Sequence, residues 1–410
     1  MQSCRPAQRR VFNMQNTDYD KLKDMEVCDV NAHLHTPYSF SAFDSVSQAV
    51  KMAAEQGVKV VGINDFYSMD GYAAWDRETR AHGLYPLFNI EFISLNSEDQ
   101  AAGVRVNDPN NPGRTYISGK GLAFPVILSG EPARQLAAVK EESNRQVAAM
   151  CAKVAGLFSA LGCDFGFDYE SIKSQLTMGS VRERHLAKAI RLAVVRLCPE
   201  PEAQLAFYQK LFGGKALKSD VADDAKVENE IRSNLLKAGG AAFVPETPEA
   251  FLPMDTVRQI ILAAGGIPTY PFLADDAKGG FTDFEGDLEK AAATLKARGF
   301  YSAEFITTRN SVEVLERYAQ YLWSQGFVVT FGSEHNTPAM EPIKLAARGG
   351  LDLTPRLKQL NYWGACITAA HQKLVADGFE GYLDADGRPR PEYREKFILM
   401  GDKIIKETIK

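Results

Sequence analysis

The chain has 410 residues, of which 45% are hydrophobic and 24% charged, as in soluble globular proteins. This length suits one large α/β domain with an insertion, or two or three domains. The formal net charge of −5 excludes a global field that draws the chain to nucleic acid or to an anionic membrane, although it allows a local basic patch. Six cysteines without a CxxC pair predict reduced thiols and a cytoplasmic protein, rather than a disulfide framework or a zinc ribbon.

Up to about residue 130, short apolar segments alternate with amphipathic ones. The predicted strands are "EVCDVNAHLH", "VKVVGIND", "LYPLFNIEFISL" and "TYISGKGL", and helices separate most of them. The segment "DSVSQAVKMAAEQG" predicts the first helix, with Asp44 or Ser45 as its N-cap and Gly57 as its terminator. Such a series of β-α units predicts parallel strands.

After residue 131 the pattern becomes almost wholly helical, as in "EESNRQVAAMCAKVAGLFSALG". Strand patterns resume with "GGIPTYPF", "YSAEFITT" and "FVVTFGSEHN", and another helical segment follows them. We therefore expect a seven-stranded α/β unit in two parts, residues 27–130 and 255–345. A helical insertion at residues 131–254 interrupts it, and a helical extension at residues 346–410 follows it.

Residues that can bind metal or take part in catalysis stand near the C-terminal ends of the predicted strands. In a β/α barrel these ends converge on one mouth. His33 and His35 are two positions apart, so their side chains point the same way and can hold one ion. Imidazoles with carboxylates suit Zn²⁺, Mn²⁺ or Fe²⁺ rather than Ca²⁺. The other strand ends carry Asp65, Glu91, Tyr116, Lys120, Tyr270, Glu304, Thr307, Glu334 and His335.

These residues also have structural interpretations. The histidine pair alone is equally typical of a strand without metal, and Asp65 before "FYSMDGY" equally suits a helix N-cap. Glu91 differs, because "LFNIEFISL" is too apolar to hold a carboxylate without a partner. His82 and His371 lie in helical contexts that favour a surface or core role. Because four strand ends carry ligand-type residues, a metal site is the favoured interpretation.

Five motifs occur in a fixed order: "NAHLHTPYSFS", "VGINDFYSMDGY", "NIEFISL", "GGIPTYPF" and "FGSEHN". Together they resemble the polymerase-and-histidinol-phosphatase (PHP) family of metal-dependent hydrolases, over about residues 27–130 and 255–340. The segment "GSVRERHLAKAI" is similar to part of the helical insertion in members related to small nucleotide phosphoesterases. The resemblance implies a distorted seven-stranded β/α, TIM-like barrel. In that family the mouth of the barrel holds up to three metals, and a metal-bound hydroxide attacks a phosphate ester there.

The same resemblance implies roles for individual residues. The ligands of the first metal are His33, His35, Glu91 and Glu334, with Glu334 in place of the usual aspartate. Asp65 and His335 become additional ligands or catalytic groups. Ser41, Phe66, Tyr116 and Tyr270 stand where the family has histidines, which removes ligands for further metals. We therefore expect one divalent ion (Zn, Mn or Fe), with additional metals weak or absent.

The substrate pocket is expected to be lined by tyrosines and basic residues. Tyr116 and Tyr270 can donate hydrogen bonds to the substrate or its leaving oxygen. Lys120 and Arg184 can bind an anion, although each also suits a solvated face. His185 either reaches from the insertion toward the mouth or packs between helices.

Three functions remain open from the sequence. The leading one is a metal-dependent hydrolase of a small phosphorylated metabolite or nucleotide. The second is a degenerate barrel that binds one metal and a small ligand without turnover. The third is metal-dependent chemistry on a sugar or hydroxy acid, since tyrosines in place of imidazoles suit a hydroxyl-rich ligand. In each case the partner is a small molecule, most simply an anionic one, and neither a nucleic-acid polymer nor a membrane is expected.

Overall fold

The computed structural model describes residue 22 and residues 25–336 and 339–409. The strands are β1 (Val30–Leu34), β2 (Val60–Phe66), β3 (Tyr85–Leu95), β4 (Arg114–Lys120), β5 (Leu252–Pro253), β6 (Ile267–Phe272), β7 (Ser302–Ile306), β8 (Val328–Gly332), β9 (Ala346–Ala347) and β10 (Leu351–Asp352). The helices are α1 (Val46–Glu55), α2 (Tyr72–Ala81), α3 (Ser97–Ala101), α4 (Gly130–Ala160), α5 (Tyr169–Leu176), α6 (Glu183–Leu197), α7 (Pro201–Leu211), α8 (Asp224–Ile231), α9 (Met254–Ala263), α10 (Leu288–Ala297), α11 (Val312–Ser324), α12 (Pro355–Ala376) and α13 (Arg394–Thr408).

Local sequence signals explain where the first helix begins and ends. Of the two candidate N-caps, Ser45 caps α1, because its Oγ accepts a hydrogen bond from the backbone N of Gln48 at 3.1 Å. Gly57 follows the last turn with a φ of 75°, a left-handed conformation that glycine adopts without strain.

Seven strands form a nearly closed barrel. Hydrogen bonds join them in the order β1-β2-β3-β4-β6-β7-β8, while the short β5 pairs with the end of β3. The last strand returns to the first through a parallel bridge between Leu34 and Glu334. The predicted α/β fold, a distorted TIM-like barrel of seven strands with a large helical insertion, is therefore confirmed.

The prediction that the first four strands are all parallel is wrong for β4. This strand runs antiparallel to both β3 and β6. A parallel connection needs a crossover that spans the barrel, usually a helix, and the only helix between β3 and β4 is the five-residue α3. The chain therefore starts β4 from the mouth. As a result Tyr116, early in β4, lies beside Ile93 on the mouth side, and Lys120 lies deeper.

Polar side chains fill the interior of the barrel. Asn64 donates from Nδ2 to Ser118 Oγ at 3.1 Å, and Ser118 donates to Glu304 Oε2 at 3.2 Å. Thr269 donates from Oγ1 to Ser302 Oγ at 2.9 Å. These side chains are almost completely buried. Because strand residues alternate between two faces, their apolar neighbours point outward and form the main core against the surrounding helices.

The insertion has a hydrophobic cluster of its own. Helices α4 to α8 enclose buried residues that include Phe158, Ile190 and Tyr208, separate from the core of the barrel. The long helix α4 joins the two clusters, since Leu136 and Val139 near its start belong to the barrel core. The beginning of α4 is therefore part of the packing of the barrel.

Two side-chain amides of helix α12 form hydrogen bonds with backbone groups of the barrel strands. Asn361 accepts a hydrogen bond from the backbone N of Phe331 in β8 at 2.8 Å and donates to Val30 O in β1 at 3.0 Å. Gln372 accepts from Phe88 N at 2.9 Å and donates to Pro86 O at 3.0 Å, along the edge of β3 that β4 leaves open. Among the described residues, no helix is long and apolar enough to span a bilayer.

Candidate metal centre

Three predicted ligands converge at the mouth of the barrel. The Nε2 atoms of His33 and His35 are 3.4 Å apart, and they lie 3.6 and 3.3 Å from Glu91 Oε2. Donor atoms at ~2.0–2.1 Å from a tetrahedral zinc ion are ~3.3–3.4 Å apart, so these spacings fit one ion. The buried Glu91 Oε2 accepts no hydrogen bond within the part of the chain that the structure describes. These residues therefore fit a divalent metal ion.

A buried carboxylate orients the ring of His33. Its Nδ1 lies 2.9 Å from Glu304 Oε2, which can only accept, so Nδ1 carries the proton and Nε2 presents its lone pair. Such a contact between a carboxylate and a histidine fixes the tautomer of metal-binding imidazoles. Glu304 had appeared in the sequence only as one polar strand end among many. Its apolar setting in "YSAEFITT" carried the same signal as that of Glu91.

His35 is oriented through a hydroxyl. Its Nδ1 lies 3.4 Å from Ser39 Oγ, which donates its own proton to Asp65 Oδ1 at 2.6 Å. Asp65 also accepts hydrogen bonds from Thr36 N at 2.7 Å and Thr36 Oγ1 at 2.5 Å. The Asp65 carboxylate thus anchors the loop after β1 instead of facing the three donor atoms. It does not cap α2 either, because Gly71 is the N-cap residue there.

The site combines opposite charges away from water. Burial opposes the imidazolium of His33, but Glu304 and Glu91 outweigh it and raise the pKa of His33 to about 9. Burial also opposes the carboxylate of Glu91, yet His33 and His35 lower its pKa to about 2. The carboxylate therefore stays ionised, and a metal ion competes with the proton on His33.

Glu334 does not join the other three predicted ligands. Its Oε1 pairs with Arg309 at 2.7 Å, and its Oε2 accepts from Asn336. Glu334 and His335 have φ values of 66° and 57°, which are uncommon for residues with a side chain. This left-handed turn at the end of β8 leads the Glu334 carboxylate toward Arg309.

Both ring nitrogens of His335 already have partners. Nδ1 lies 2.8 Å from Ser333 Oγ, and Nε2 lies 2.8 Å from Glu341 O. The ring also stacks on Phe43 with centroids 5.0 Å apart. The structure therefore places His335 beside the cluster, in a network that stabilises the turn after β8.

The predicted pocket residues on the strands separate into three locations. Tyr116 is partly exposed at the mouth, with its ring 6.2 Å from that of Phe66, and burial together with nearby carboxylates raises the pKa of its phenol well above the usual value. Tyr270 lies outside the barrel interior, where its hydroxyl donates to Glu285 Oε1 at 2.8 Å. Lys120 lies inside the barrel, 1% exposed and paired with Glu304. Neither Tyr270 nor Lys120 lines an open pocket.

The insertion brings arginines over the mouth. Arg184 lies 5.6 Å from the centroid of Phe40, and burial together with Arg232 lowers the pKa of Arg184 to about 10. Arg182, which the sequence did not single out, lies 4.9 Å from the centroid of Phe66, whose ring stacks on His35. These contacts place two arginine side chains beside Phe40 and Phe66, the two rings that stack on His35.

The remaining predicted residue, His185, supports the start of α6. Its Nδ1 accepts a hydrogen bond from Arg182 N at 3.0 Å, as a helix-capping side chain does. Burial, reinforced by Arg182 and Lys188, lowers the pKa of His185 to about 3, so the ring is neutral at pH 7. The helix-packing alternative describes this position better than a reach into the mouth.

No protein-family model and no curated protein matches the chain. Solved structures do. A protein from Bifidobacterium adolescentis, provisionally described as a metal-dependent phosphoesterase, is 15% identical with a TM-score of 0.53, and the match covers 81% of this chain and 94% of that one. An amidohydrolase from Chromobacterium violaceum, with bound sulfate and no metal, is 14% identical with a TM-score of 0.50, over 81% of this chain and 96% of that one.

At these identities the matches establish the fold and nothing finer. Both neighbours are matched over almost their entire length, so the likeness extends beyond a shared barrel core. The chain therefore has the fold that the motifs predict, the barrel on which these two proteins, described as a phosphoesterase and an amidohydrolase, are also built.

Proposed function

We propose that the chain binds one divalent ion, Zn²⁺ or Mn²⁺ most simply, through His33, His35 and Glu91, and hydrolyses a small phosphorylated metabolite or nucleotide. The observation that carries this proposal is the convergence of three buried donor atoms at spacings that fit one ion, including a Glu91 oxygen that has no hydrogen-bond donor among the described residues. When bound, such an ion supplies Lewis acidity and lowers the pKa of a coordinated water.

The residues around the cluster have complementary tasks. Glu304 and the pair Ser39–Asp65 hold the two imidazoles with their Nε2 atoms toward the ion. Arg182 and Arg184 offer positive charge at the mouth, which favours an anionic substrate. The ligand residues are at most 3% exposed, so a small molecule fits this setting better than a polymer.

In this proposal the insertion covers the mouth of the barrel. The loop between α5 and α6 contacts the loop after β1 through two backbone hydrogen bonds. Met178 N donates to Pro37 O at 2.9 Å, and Ser180 N donates to Tyr38 O at 3.3 Å. We propose the division into 27–130 and 255–345 for the barrel, 131–254 for the insertion and 346–410 for the extension. The hydrophobic cluster within α4 to α8 supports the insertion as a unit of its own, whereas the extension shares its clusters with the barrel. The free thiols among the described cysteines support a cytoplasmic location.

A second candidate is a protein that binds one metal and a ligand without turnover. It is favoured by one observation: the groups expected to act as acid or base already have partners. Asp65 accepts three hydrogen bonds from the loop after β1, and both nitrogens of His335 are occupied. A substrate panel separates this candidate from a hydrolase.

Elemental analysis of the purified protein tests the metal assignment. We expect about one equivalent of a divalent transition metal, which the double variant His33→Ala/His35→Ala loses. His82→Ala is the matched control, because this histidine is exposed and its Nδ1 contacts only the backbone of its own helix. Equal metal content in the wild type and the double variant would refute the site.

Turnover is tested separately, with phosphate monoesters, nucleotides, and sugar or hydroxy-acid substrates in the presence of Mn²⁺ or Zn²⁺. Release of inorganic phosphate that disappears in His33→Ala/His35→Ala supports the hydrolase. Metal binding with no product from any phosphate ester favours the binding protein, and turnover of only the non-phosphate compounds favours the third function.

A further inference from the structure

Lys120 is a cation enclosed within the barrel. Its side chain is 1% exposed, and its Nζ contacts Glu304 Oε1, Ala32 O at 3.1 Å and Asn64 Oδ1 at 3.4 Å. Three oxygen acceptors surround one nitrogen, which matches the three N–H donors of an ammonium group. No donor remains for a ligand, so Lys120 is a permanent part of the interior.

Glu304 connects this ammonium to the candidate metal centre. One of its oxygens faces Lys120, and the other lies 2.9 Å from His33 Nδ1 and accepts a hydrogen bond from Ser118 Oγ at 3.2 Å. Glu304 is completely buried, and a buried carboxylate needs a nearby positive charge. Lys120 provides that charge, and it does so on the side of Glu304 away from His33.

We propose that the Lys120 ammonium takes the place of a second metal ion in the barrel interior. It neutralises Glu304, holds this carboxylate against His33, and so limits the centre to one ion. An additional cation approaching Glu304 Oε1 meets the ammonium of Lys120 at the same oxygen and is repelled. The inference rests on the proposed function in one respect, namely that the first ion lies between His33, His35 and Glu91.

The oxygen atoms around Lys120 Nζ are groups that can also bind a divalent metal ion in place of the ammonium. Without Lys120, the Glu304 carboxylate oxygen, the Asn64 amide oxygen and the Ala32 carbonyl oxygen remain around the vacated position. Oxygen ligands of this kind suit Mn²⁺ and Mg²⁺. Lys120 is therefore a positioning residue whose removal changes the number of ions, an effect that a purely packing role does not have.

The experiment counts metal ions in matched variants. The wild type, Lys120→Met and Lys120→Met/Glu304→Gln are equilibrated with excess Mn²⁺, freed of loose metal by gel filtration and analysed for manganese per chain. We expect about one equivalent in the wild type and about two in Lys120→Met. In the double variant the count returns to about one, because the neutral amide no longer needs a cation while its oxygen still accepts from His33.

Each outcome decides the proposal. A count of about one in Lys120→Met, with thermal stability as in the wild type, overturns it. A Lys120→Met protein that stays insoluble with Mn²⁺ while the double variant folds also overturns it, because the divalent ion then fails to replace the ammonium.

The wild type alone also decides if neither variant folds. In that case a second ion that the wild type holds tightly at saturating Mn²⁺ overturns the proposal. The proposed function fails differently, by a wild type that binds no metal at all.

Discussion

At the scale of single residues, the Ser39 hydroxyl orients His35, one of the candidate metal ligands. Its hydroxyl donates to Asp65 and is left to accept the Nδ1–H of His35, so it decides which ring nitrogen of His35 faces the cluster.

We therefore predict that Ser39→Ala weakens metal affinity by about 10- to 100-fold, the usual effect of losing such an outer partner. A competition titration with a fluorescent chelator measures the dissociation constant. Ser41→Ala is the matched control, because Ser41 Oγ donates to the backbone O of His35 and leaves the imidazole alone. Equal loss of affinity in both variants would mean that the loop, rather than the Ser39 hydroxyl, matters.

Glu285 gives the fold a distinct dependence on pH. Burial raises its pKa from the usual 4.5 to about 8, although Tyr270 and the backbone amides of Leu273 and Ala274 oppose the rise. Between these values the folded chain binds this proton more tightly than the unfolded chain. The contribution of Glu285 is therefore complete below about pH 4.5 and is lost as the pH rises toward about 8.

For this reason we expect the free energy of unfolding to fall between about pH 5 and pH 8 more steeply in the wild type than in Glu285→Gln. The difference in slope is at most about 1.4 kcal/mol per pH unit, the value for one proton. Urea unfolding at several pH values measures it, with the exposed Glu289→Gln as control. Parallel curves for the wild type and Glu285→Gln would contradict the assignment.

The sequence predicted the three converging residues because their signals are local. Two histidines at i and i+2 share a face of a strand, and Glu91 in an apolar strand needs a partner. The position of Glu334 depends on a left-handed turn and on Arg309, which lies far from it in the sequence. Tyr270 was misplaced because "IPTYPF" is apolar on both faces, so its pattern does not show which side points inward.

At the scale of elements, the direction of β4 determines which of its residues lie at the mouth of the barrel and which lie in the interior. The apolar pattern predicted the strand correctly, yet the direction of the strand depends on whether the preceding connection crosses the barrel. The reversal keeps Tyr116 at the mouth but moves Lys120 into the interior, which turns a predicted anion binder into the partner of Glu304. Strand ends can therefore be compared only after each strand's direction is known.

Helix α12 acts on the barrel through the amides of Asn361 and Gln372. Because each amide pairs one backbone donor and one acceptor, its loss leaves two buried groups unsatisfied. We predict that Asn361→Leu lowers the free energy of unfolding by about 2–4 kcal/mol, with about 1–3 kcal/mol for each orphaned group and partial relaxation. Denaturant unfolding measures the change.

The control for this prediction is Gln359→Leu on the same helix, whose amide oxygen accepts from Arg356 at the surface. We expect a change below about 0.5 kcal/mol there, as for most surface substitutions. A similar loss in both variants would show that helix propensity, and not the seam between β1 and β8, causes the effect.

At the scale of the whole molecule, an ion bound at the candidate centre would couple the stability of the barrel to metal binding. The candidate ligands lie in β1, directly after it and in β3, and the groups that orient the two histidines come from β7 and from the loop after β1. An ion held only by the folded chain stabilises it by mass action. The centre can therefore be followed by the unfolding of the protein as well as by its chemistry.

We predict that free metal at a hundred times its dissociation constant stabilises the fold by about 2.7 kcal/mol, and that a chelator removes this gain. Thermal unfolding with and without metal measures it as a rise in the midpoint. His33→Ala/His35→Ala should show no rise, and His82→Ala should match the wild type. A metal-dependent rise that survives in the double variant would locate the ion elsewhere.

The amides of α12 also constrain the order in which the protein can be made. The candidate ligands His33, His35 and Glu91 are synthesised well before the two amides, since Asn361 follows its partner Val30 by 331 residues and Gln372 follows Pro86 by 286 residues. Until then β1 and β8 lack the bridge at the base of the barrel. A nascent chain thus carries its histidines and Glu91 before the sheet that surrounds them is complete, and the arrival of α12 closes that sheet.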